Sequence, residues 1–387
     1  MSIRCNAFFR GLALLAGLSP QTLSAQSVGA YKTEGYTLLL SKLNSGLRSP
    51  WGMALLPDGR LLITQKAGSM AILSVDGRRI EQTIGNLPAV ADAGQGGLLD
   101  VVLDPDFRKN RWLYWSYAEP GTGAAKGLAG TAVARGQLQD GVLRNIAVIF
   151  RQTPKVEGGG HFGSRLTFDR EGMLYITLGE RQKSAPAQDT RQSLGKVVRI
   201  RADGGIPGNN PIWLDKAVLP GVYSYGHRNP QGAALHPLTG ALWVSEHGPQ
   251  GGDEINRIEA GKNYGWPLAS YGCNYGQPVG DACRLGGGRH RPDFVEPLSV
   301  WVPVSIAPSG MVFYTGNMFP AWKNQILMGA LAGKALWRIQ YKGDKEIARE
   351  KMLAGLDERI RDVEQAGDGS LFLITDSGKL LRVTRLN

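Results

Sequence analysis

The chain has 387 residues, 42% of them apolar, and a formal net charge of +11 at neutral pH. That length and apolar content suit one large or two ordinary domains with a full core, and exclude global disorder. The 53 glycines follow no Gly-X-Y period, which excludes collagen. Lys and Arg are scattered, with no run of four and no nucleic-acid-binding motif, so the basic charge reads as solubility and affinity for an anionic ligand or an acidic partner.

Arg4 and Arg10 flank the start of a short apolar run, Gly11 to Leu18, and Leu23-Ser24-Ala25 ends on a small residue. This order reads as a secretory signal over residues 1–25, too short to span a bilayer. The plainer alternative is an N-terminal tail with no targeting role. Residues 26–387 are then one domain, periplasmic or secreted, with no stable membrane insertion and no nucleic-acid partner. Signal removal takes away Cys5 and leaves Cys273 and Cys283. An even pair in an oxidising compartment suggests a disulfide closing a small loop, the alternative being two free buried thiols.

Beyond the signal, Tyr36-Thr-Leu-Leu-Leu40 reads as a strand. A phrase then recurs six times, a turn, an apolar strand, another turn and a second strand: PDGRLLITQKAGSMAIL from Pro57, PDFRKNRWLYWSYAE from Pro105, DREGMLYITLGER from Asp169 with GKVVRI after it, HPLTGALWVSEHG from His236 with DEINRI after it, FPAWKNQILMGALAGKALWRI from Phe319 and GDGSLFLITDSGKLLRV from Gly367. The Asp-Gly and Thr-Gly pairs are hairpin signals, and no long segment holds a 3.6-residue period. Six such units predict an all-β, six-bladed β-propeller of four-stranded antiparallel sheets, with the strand at Tyr36–Leu40 completing the last blade. A two-sheet sandwich is the alternative.

The stretch GGGHFG at 158–163 matches the spacing of a dinucleotide fingerprint, Gly158-x-Gly160-x-x-Gly163. That fingerprint needs a helix after it to hold a pyrophosphate, and the residues that follow alternate as a strand. The match is accidental. His161 inside it reads either as a structural histidine at a blade edge or as a base among small neighbours that admit a flat ligand. Arg228 and Asn229, in YGHRNPQG, supply a guanidinium and an amide; the alternative is a turn held by the Asn side chain. The loop from Glu246 to Glu254 is rich in glycine and carboxylates, as suits Ca²⁺, although it lacks EF-hand spacing and an acidic surface turn reads equally well. Arg359 and Arg361 share a face if extended, which suits a multiply anionic ligand or a solvated strand with local ion pairs.

Taken together, GQGGLLDVVLDPDF, GGHFGSRLTFD, YSYGHRNPQG, EHGPQGGDEIN, GKNYGWP and ERIRDV resemble, in order, the soluble PQQ-dependent aldose sugar dehydrogenases over roughly residues 36–385. The resemblance implies a propeller that holds pyrroloquinoline quinone (PQQ) at the top of its channel with Ca²⁺ nearby. It implies His161 as the general base at an anomeric hydroxyl, with hydride passing from the sugar C1 to the quinone. Arg228 is implied to polarise the receiving carbonyl, with Asn229 beside it. Gln95, Tyr275, Arg359 and Arg361 match cofactor contacts. The carbonyls of Gly248 and Pro249 match ligands of the calcium at the cofactor, and Glu254 and Tyr264 match a further calcium position. Where the family pattern places a cofactor-binding lysine, this chain has Ala332; in an extended segment Lys334 falls on the same face and is expected to substitute.

Two other readings compete. A calcium-dependent propeller lactonase needs a metal and a base but no cluster of anion-binding arginines. A non-catalytic propeller that binds sugar or protein has no use for His161, Arg228 and the calcium loop together. The electron acceptor expected for the dehydrogenase reading is an acidic redox protein or a quinone.

Overall fold

The computed structural model describes residues 26–386, so the expected secretory signal and Cys5 lie outside the described residues. Six antiparallel sheets stand as blades around a channel. Their innermost strands are, in order, Pro50–Leu55, Leu98–Leu103, Gly163–Phe168, Pro230–Leu235, Pro308–Phe313 and Ile360–Gln365. Each packs against the next, and the last packs against the first. The predicted propeller is therefore the fold, and each of the six repeated turns is the hairpin joining the first and second strands of a blade.

The predicted early strand is Tyr36–Asn44, which pairs with Leu380–Arg385 and ties the two ends of the chain into the sixth blade. One element was not foreseen. Gln26–Thr33 folds back on Tyr36–Asn44, so the sixth blade has five strands and the other five blades have four. The strands follow a radial gradient of burial. The second strand of the first blade, Leu61–Gln65, is buried throughout, whereas the outermost strand of the fifth, Lys345–Met352, is largely exposed and charged. The core accordingly lies between facing blades: Trp115 and Leu113 of the second blade pack on Leu62, Met70 and Ile72 of the first. Phe319 stacks on Trp322 at 4.2 Å between the fifth and sixth blades.

All six innermost strands shift register at the same place, a bulge near their start. A bulge leaves backbone groups unpaired and re-aims side chains. In three blades a hydroxyl from the second strand takes the freed N–H: Thr64 accepts from Gly52, Ser116 from Asp100 and Thr177 from Arg165, each at 2.9 Å. The third residues of the six innermost strands are Gly52, Asp100, Arg165, Gly232, Gly310 and Asp362, and they meet in the channel. Arg165 Nη1 lies 2.9 Å from Asp100 and 3.1 Å from Asp362, and Nε donates to the Gln231 carbonyl at 3.0 Å. The other oxygens of the two carboxylates accept the backbone N–H groups of Leu166 and Met53. A Cβ on Gly310 would collide with the Asp362 carboxylate. Burial pushes the Asp100 carboxyl up to about 6 even with Arg165 beside it, and the neighbouring Asp362 adds to the rise.

Removing one member of a buried ion pair strands the other. Arg165→Met is expected to lose about 3–5 kcal/mol in guanidinium unfolding at neutral pH. Without the guanidinium, both carboxyls titrate higher in the folded state, so the deficit shrinks toward pH 5 and grows toward pH 8. A loss within about 0.5 kcal/mol of wild type at every pH would remove this cluster from the account of stability.

Candidate active site

The loops at one end of the channel carry most of the residues singled out by the sequence. Gln95 accepts the backbone N–H of His161 at 2.9 Å, and its own N–H donates to Gly159 at 2.6 Å. The glycine run is therefore held from one side by the loop that precedes the second blade. From the other side it is held by Arg181, which is 1% exposed. Arg181 Nε donates to the Gly160 carbonyl at 2.9 Å, Nη1 to Ala129 at 3.0 Å and Nη2 to Gly158, and the guanidinium lies 3.7 Å from the Phe162 ring. The glycines thus turn their carbonyls to a buried cation, with no phosphate site and no helix after them. His161 itself sits in the left-handed region, φ 50°, so the loop's hydrogen bonds hold a conformation that costs a non-glycine residue energy.

His161 Nδ1 contacts Glu180 Oε1 at 2.5 Å, and Glu180 Oε2 accepts the Ser184 N–H at 2.6 Å. A carboxylate on Nδ1 makes that nitrogen the proton-bearing one and leaves Nε2 as the free base. Desolvation and the nearby Arg228 and Arg181 cations hold the His161 pKa below its ordinary value, against the opposing pull of Glu180. The ring is therefore neutral at neutral pH. Glu180 is the residue that sequence reasoning missed. It comes two residues after the second strand of the third blade, in LYITLGER, beyond Gly179.

Arg228 lies across from this pair. Its carbonyl accepts the Glu180 N–H at 2.9 Å, and its own N–H donates to Glu246 at 2.8 Å. The guanidinium Nη1 donates to the carbonyls of His247 and Gly248 at 3.0 and 2.6 Å, and the group lies 5.1 Å from the Trp266 ring. Its Nε is buried with no hydrogen-bond partner among the described residues. Asn229 is fully buried. It ties Gly163 N–H to the His247 ring, with its side chain turned away from open space. His247, a second residue the sequence reading passed over, donates from Nε2 to the Pro308 carbonyl at 2.7 Å. Desolvation and the Arg228 and Arg361 cations push its pKa down to about 3, so it is a neutral ring.

Beside them opens a cavity of about 410 Å³, lined by Trp51, Lys66, Gln95, Gln231, His247, Leu331, Arg359, Arg361 and Asp376. Arg359 and Arg361 share its wall, as their spacing predicts. Both reach Asp376, Nε to carboxylate at 2.8 Å in each case. Two guanidinium groups against one carboxylate leave a net positive wall. That charge fits a polyanion such as PQQ, while Arg228 lines the neighbouring Glu254 cavity and the Trp51 ring lies under the Arg165 guanidinium at 4.5 Å.

Two expectations change. Lys334 is not in an extended segment: residues 331–334 form the turn between Ile326–Ala330 and Ala335–Lys342, and Lys334 has φ 44°. The two-residue alternation that would carry it to the face of Ala332 does not apply. Its ammonium is 2.7 Å from Asp357 instead, and it does not line the cavity. Tyr275 is 73% exposed in the loop closed by the Cys273–Cys283 disulfide and is not brought to the cavity either. A loop of this kind follows no blade repeat, so strand pattern gave its side chains no direction. The disulfide itself is present, and Cys273 exchanges backbone hydrogen bonds with Gln250 at 2.9 and 3.0 Å, anchoring the Glu246–Glu254 loop.

That loop borders a small cavity lined by Glu246, Gly248, Gly252, Glu254, Tyr264 and Ser270, among others. Burial and the adjacent Glu246 push the Glu254 carboxyl well above the usual carboxylate range. A divalent cation there would relieve that repulsion, so the donor chemistry fits Ca²⁺. The carbonyls of Gly248 and Pro249 already accept from Arg228 and from Ser305, at 2.6 and 3.0 Å, and each has a second lone pair to offer. The Tyr264 hydroxyl is committed, donating to Arg257 and accepting from Glu259 N–H, so only its carbonyl is available. No group of three or more His, Cys, Asp or Glu side chains poised for a metal occurs among the described residues, so backbone oxygens would have to complete any such site.

The fold and site together define a propeller with a paired histidine base beside a cationic cavity. The sequence profile of the Glucose / Sorbosone dehydrogenase family matches residues 47–382, and the chain belongs to that family. It is 42% identical over 356 residues to the aldose sugar dehydrogenase YliI of Escherichia coli (strain K12), covering 91% of this chain and 94% of that one. A crystal structure described as a glucose dehydrogenase superposes with a TM-score of 0.83 at 47% identity, over 90% of this chain and 99% of that one. The PQQ-bound aldose sugar dehydrogenase of Streptomyces coelicolor superposes with a TM-score of 0.74 at 28% identity, over 94% of this chain and 100% of that one.

Glu180→Gln removes two interactions that raise the His161 pKa. Titration of the His161 Cε1–H resonance by NMR is expected to show a pKa lower in the variant than in wild type. An equal or higher value would mean that Glu180 does not act on this ring.

Proposed function

We propose that the protein is a PQQ- and Ca²⁺-dependent aldose dehydrogenase that oxidises the sugar at C1 to the lactone, exported to the periplasm or secreted. The observation that carries the reading is the neutral His161–Glu180 pair with Arg228 beside an arginine-walled cavity, joined to its lining through Gln95 and His247. Bound in that cavity, the quinone would supply a two-electron acceptor for the hydride that leaves C1. The protein's own groups do the rest. His161 Nε2 takes the proton from the anomeric hydroxyl, and Glu180 stabilises the imidazolium that results. Arg228 offers a fixed cation where negative charge develops. Arg359 and Arg361 orient the cofactor carboxylates, and Gln95 fixes the base through its backbone. The carbonyls of Gly248 and Pro249 would hold the Ca²⁺ at the cofactor, and Glu254 with the Tyr264 carbonyl a further Ca²⁺.

The cationic wall also separates this reading from a propeller lactonase, which has no tricarboxylate to hold. A binding-only propeller would not require a desolvated histidine held in one tautomer.

Purified protein reconstituted with PQQ and Ca²⁺ is expected to reduce a dye acceptor with one or more aldoses in a panel. Without PQQ there should be no rate. His161→Ala should lower kcat by about 10²–10⁴-fold, the range for loss of a general base, with the cofactor still bound. The absence of a PQQ-dependent rate with every sugar would defeat the proposal.

A further inference from the structure

Blade symmetry singles out one cation that the sequence pattern did not. The first residue after the second strand of a blade is Lys66 in the first blade, His247 in the fourth, Leu331 in the fifth and Asp376 in the sixth. All four line the same cavity. The position is structurally equivalent in each case: the second strand ends at the channel mouth, and the next side chain is delivered inward. In the fifth blade an apolar Leu331 occupies it, and the lysine of that turn, Lys334, comes three residues later and outside the cavity.

Lys66 is well held. Its backbone N–H donates to Ser49 at 3.1 Å and its carbonyl accepts from Leu98 at 2.8 Å. A Cβ on Gly97 would collide with that carbonyl, and Gly97 has φ 125°, so the close approach requires glycine. The ammonium donates to the Gly94 carbonyl at 2.7 Å, next to Gln95, and its side chain is 22% exposed. Its nearest carboxylate is Asp92, at 3.8 Å and 44% exposed. Compared with Arg359 and Arg361, which share Asp376, and with Lys334, which is joined to Asp357, Lys66 is the least compensated positive charge at the rim.

We propose that Lys66 is a cofactor-binding residue, delivered by the first blade to meet a carboxylate of the cofactor across the cavity from Arg359 and Arg361, and that Lys334 has no such role. The inference rests on the PQQ reading of the cavity. Lys66 and the two arginines against Asp376 give the wall two net positive charges, where the arginines alone give one.

The test is direct binding of PQQ to the apo-protein at fixed Ca²⁺, by isothermal titration calorimetry. Lys66→Gln is expected to raise Kd at least about tenfold, the scale of one charge-assisted hydrogen bond. Lys66→Arg should stay within about threefold of wild type, and Lys334→Ala within about twofold, since neither removes charge from the cavity. The salt dependence of Kd should be shallower in Lys66→Gln. Thermal unfolding of each apo-variant checks the fold, and Lys66→Met, which keeps length without charge, repeats the comparison. Wild-type affinity in both Lys66→Gln and Lys66→Met, or an equal loss in Lys334→Ala, would overturn the proposal while leaving the cofactor reading intact. No PQQ binding by wild type would overturn both.

Discussion

A single guanidinium, that of Arg165, holds the centre of this propeller. Radial folds place six strand ends around one axis, and each end brings backbone groups and side chains into a space with little water. Here that space is filled by one Arg, two Asp and three Gly at equivalent positions. Arg165 reaches the second, fourth and sixth blades, through Asp100, the Gln231 carbonyl and Asp362, and the two carboxylates return bonds to the first and third. The fifth blade contributes Gly310, whose missing side chain leaves room for the Asp362 carboxylate. Ion pairs of this kind contribute less to net stability than to geometry. What this one fixes is the register at which six bulged strands meet.

That register decides what stands above it. Because each innermost strand bulges at the same point, the following loops leave the channel at matching heights. In four blades the first residue after the second strand is a wall position, and Glu180, two residues beyond the second strand of the third blade, reaches His161. The functional chemistry then comes from breaking the symmetry. Equivalent places carry a cation in the first blade, a neutral ring in the fourth, an apolar side chain in the fifth and an acid in the sixth. Desolvation, the force that makes the central cluster costly, also keeps His161 and His247 neutral beside Arg228.

Much of this was legible in the chain. The turn Asp58-Gly59 before LLITQ and its five echoes gave the blade count, because hairpin turns and alternating strands have local signatures. His161, Arg228, Arg359 and Arg361 were legible by residue type and neighbourhood. Gln95 came only through family resemblance, and its bond to the His161 backbone spans 66 residues. Glu180 had a signal that went unused: it directly follows LYITLG, just beyond a strand end. Lys334 failed because a four-residue turn replaced the assumed extended backbone. Tyr275 failed because the disulfide loop belongs to no repeat, so periodicity says nothing of it. The added strand Gln26–Thr33 has little apolar content, and only its pairing with Tyr36–Asn44 explains it.

The central claim is that His161, kept neutral by burial and by its cationic neighbours and oriented by Glu180, is the group that accepts the sugar's proton. It is tested most directly by comparing two titrations on the same protein: the His161 resonance by NMR and the acid limb of kcat for aldose oxidation by the PQQ- and Ca²⁺-loaded enzyme. The account predicts that activity is full above the depressed His161 pKa, falls as pH drops through it, and shares its midpoint with the NMR titration below about 6.5. A rate that stays constant through the pH at which His161 takes up its proton would contradict it.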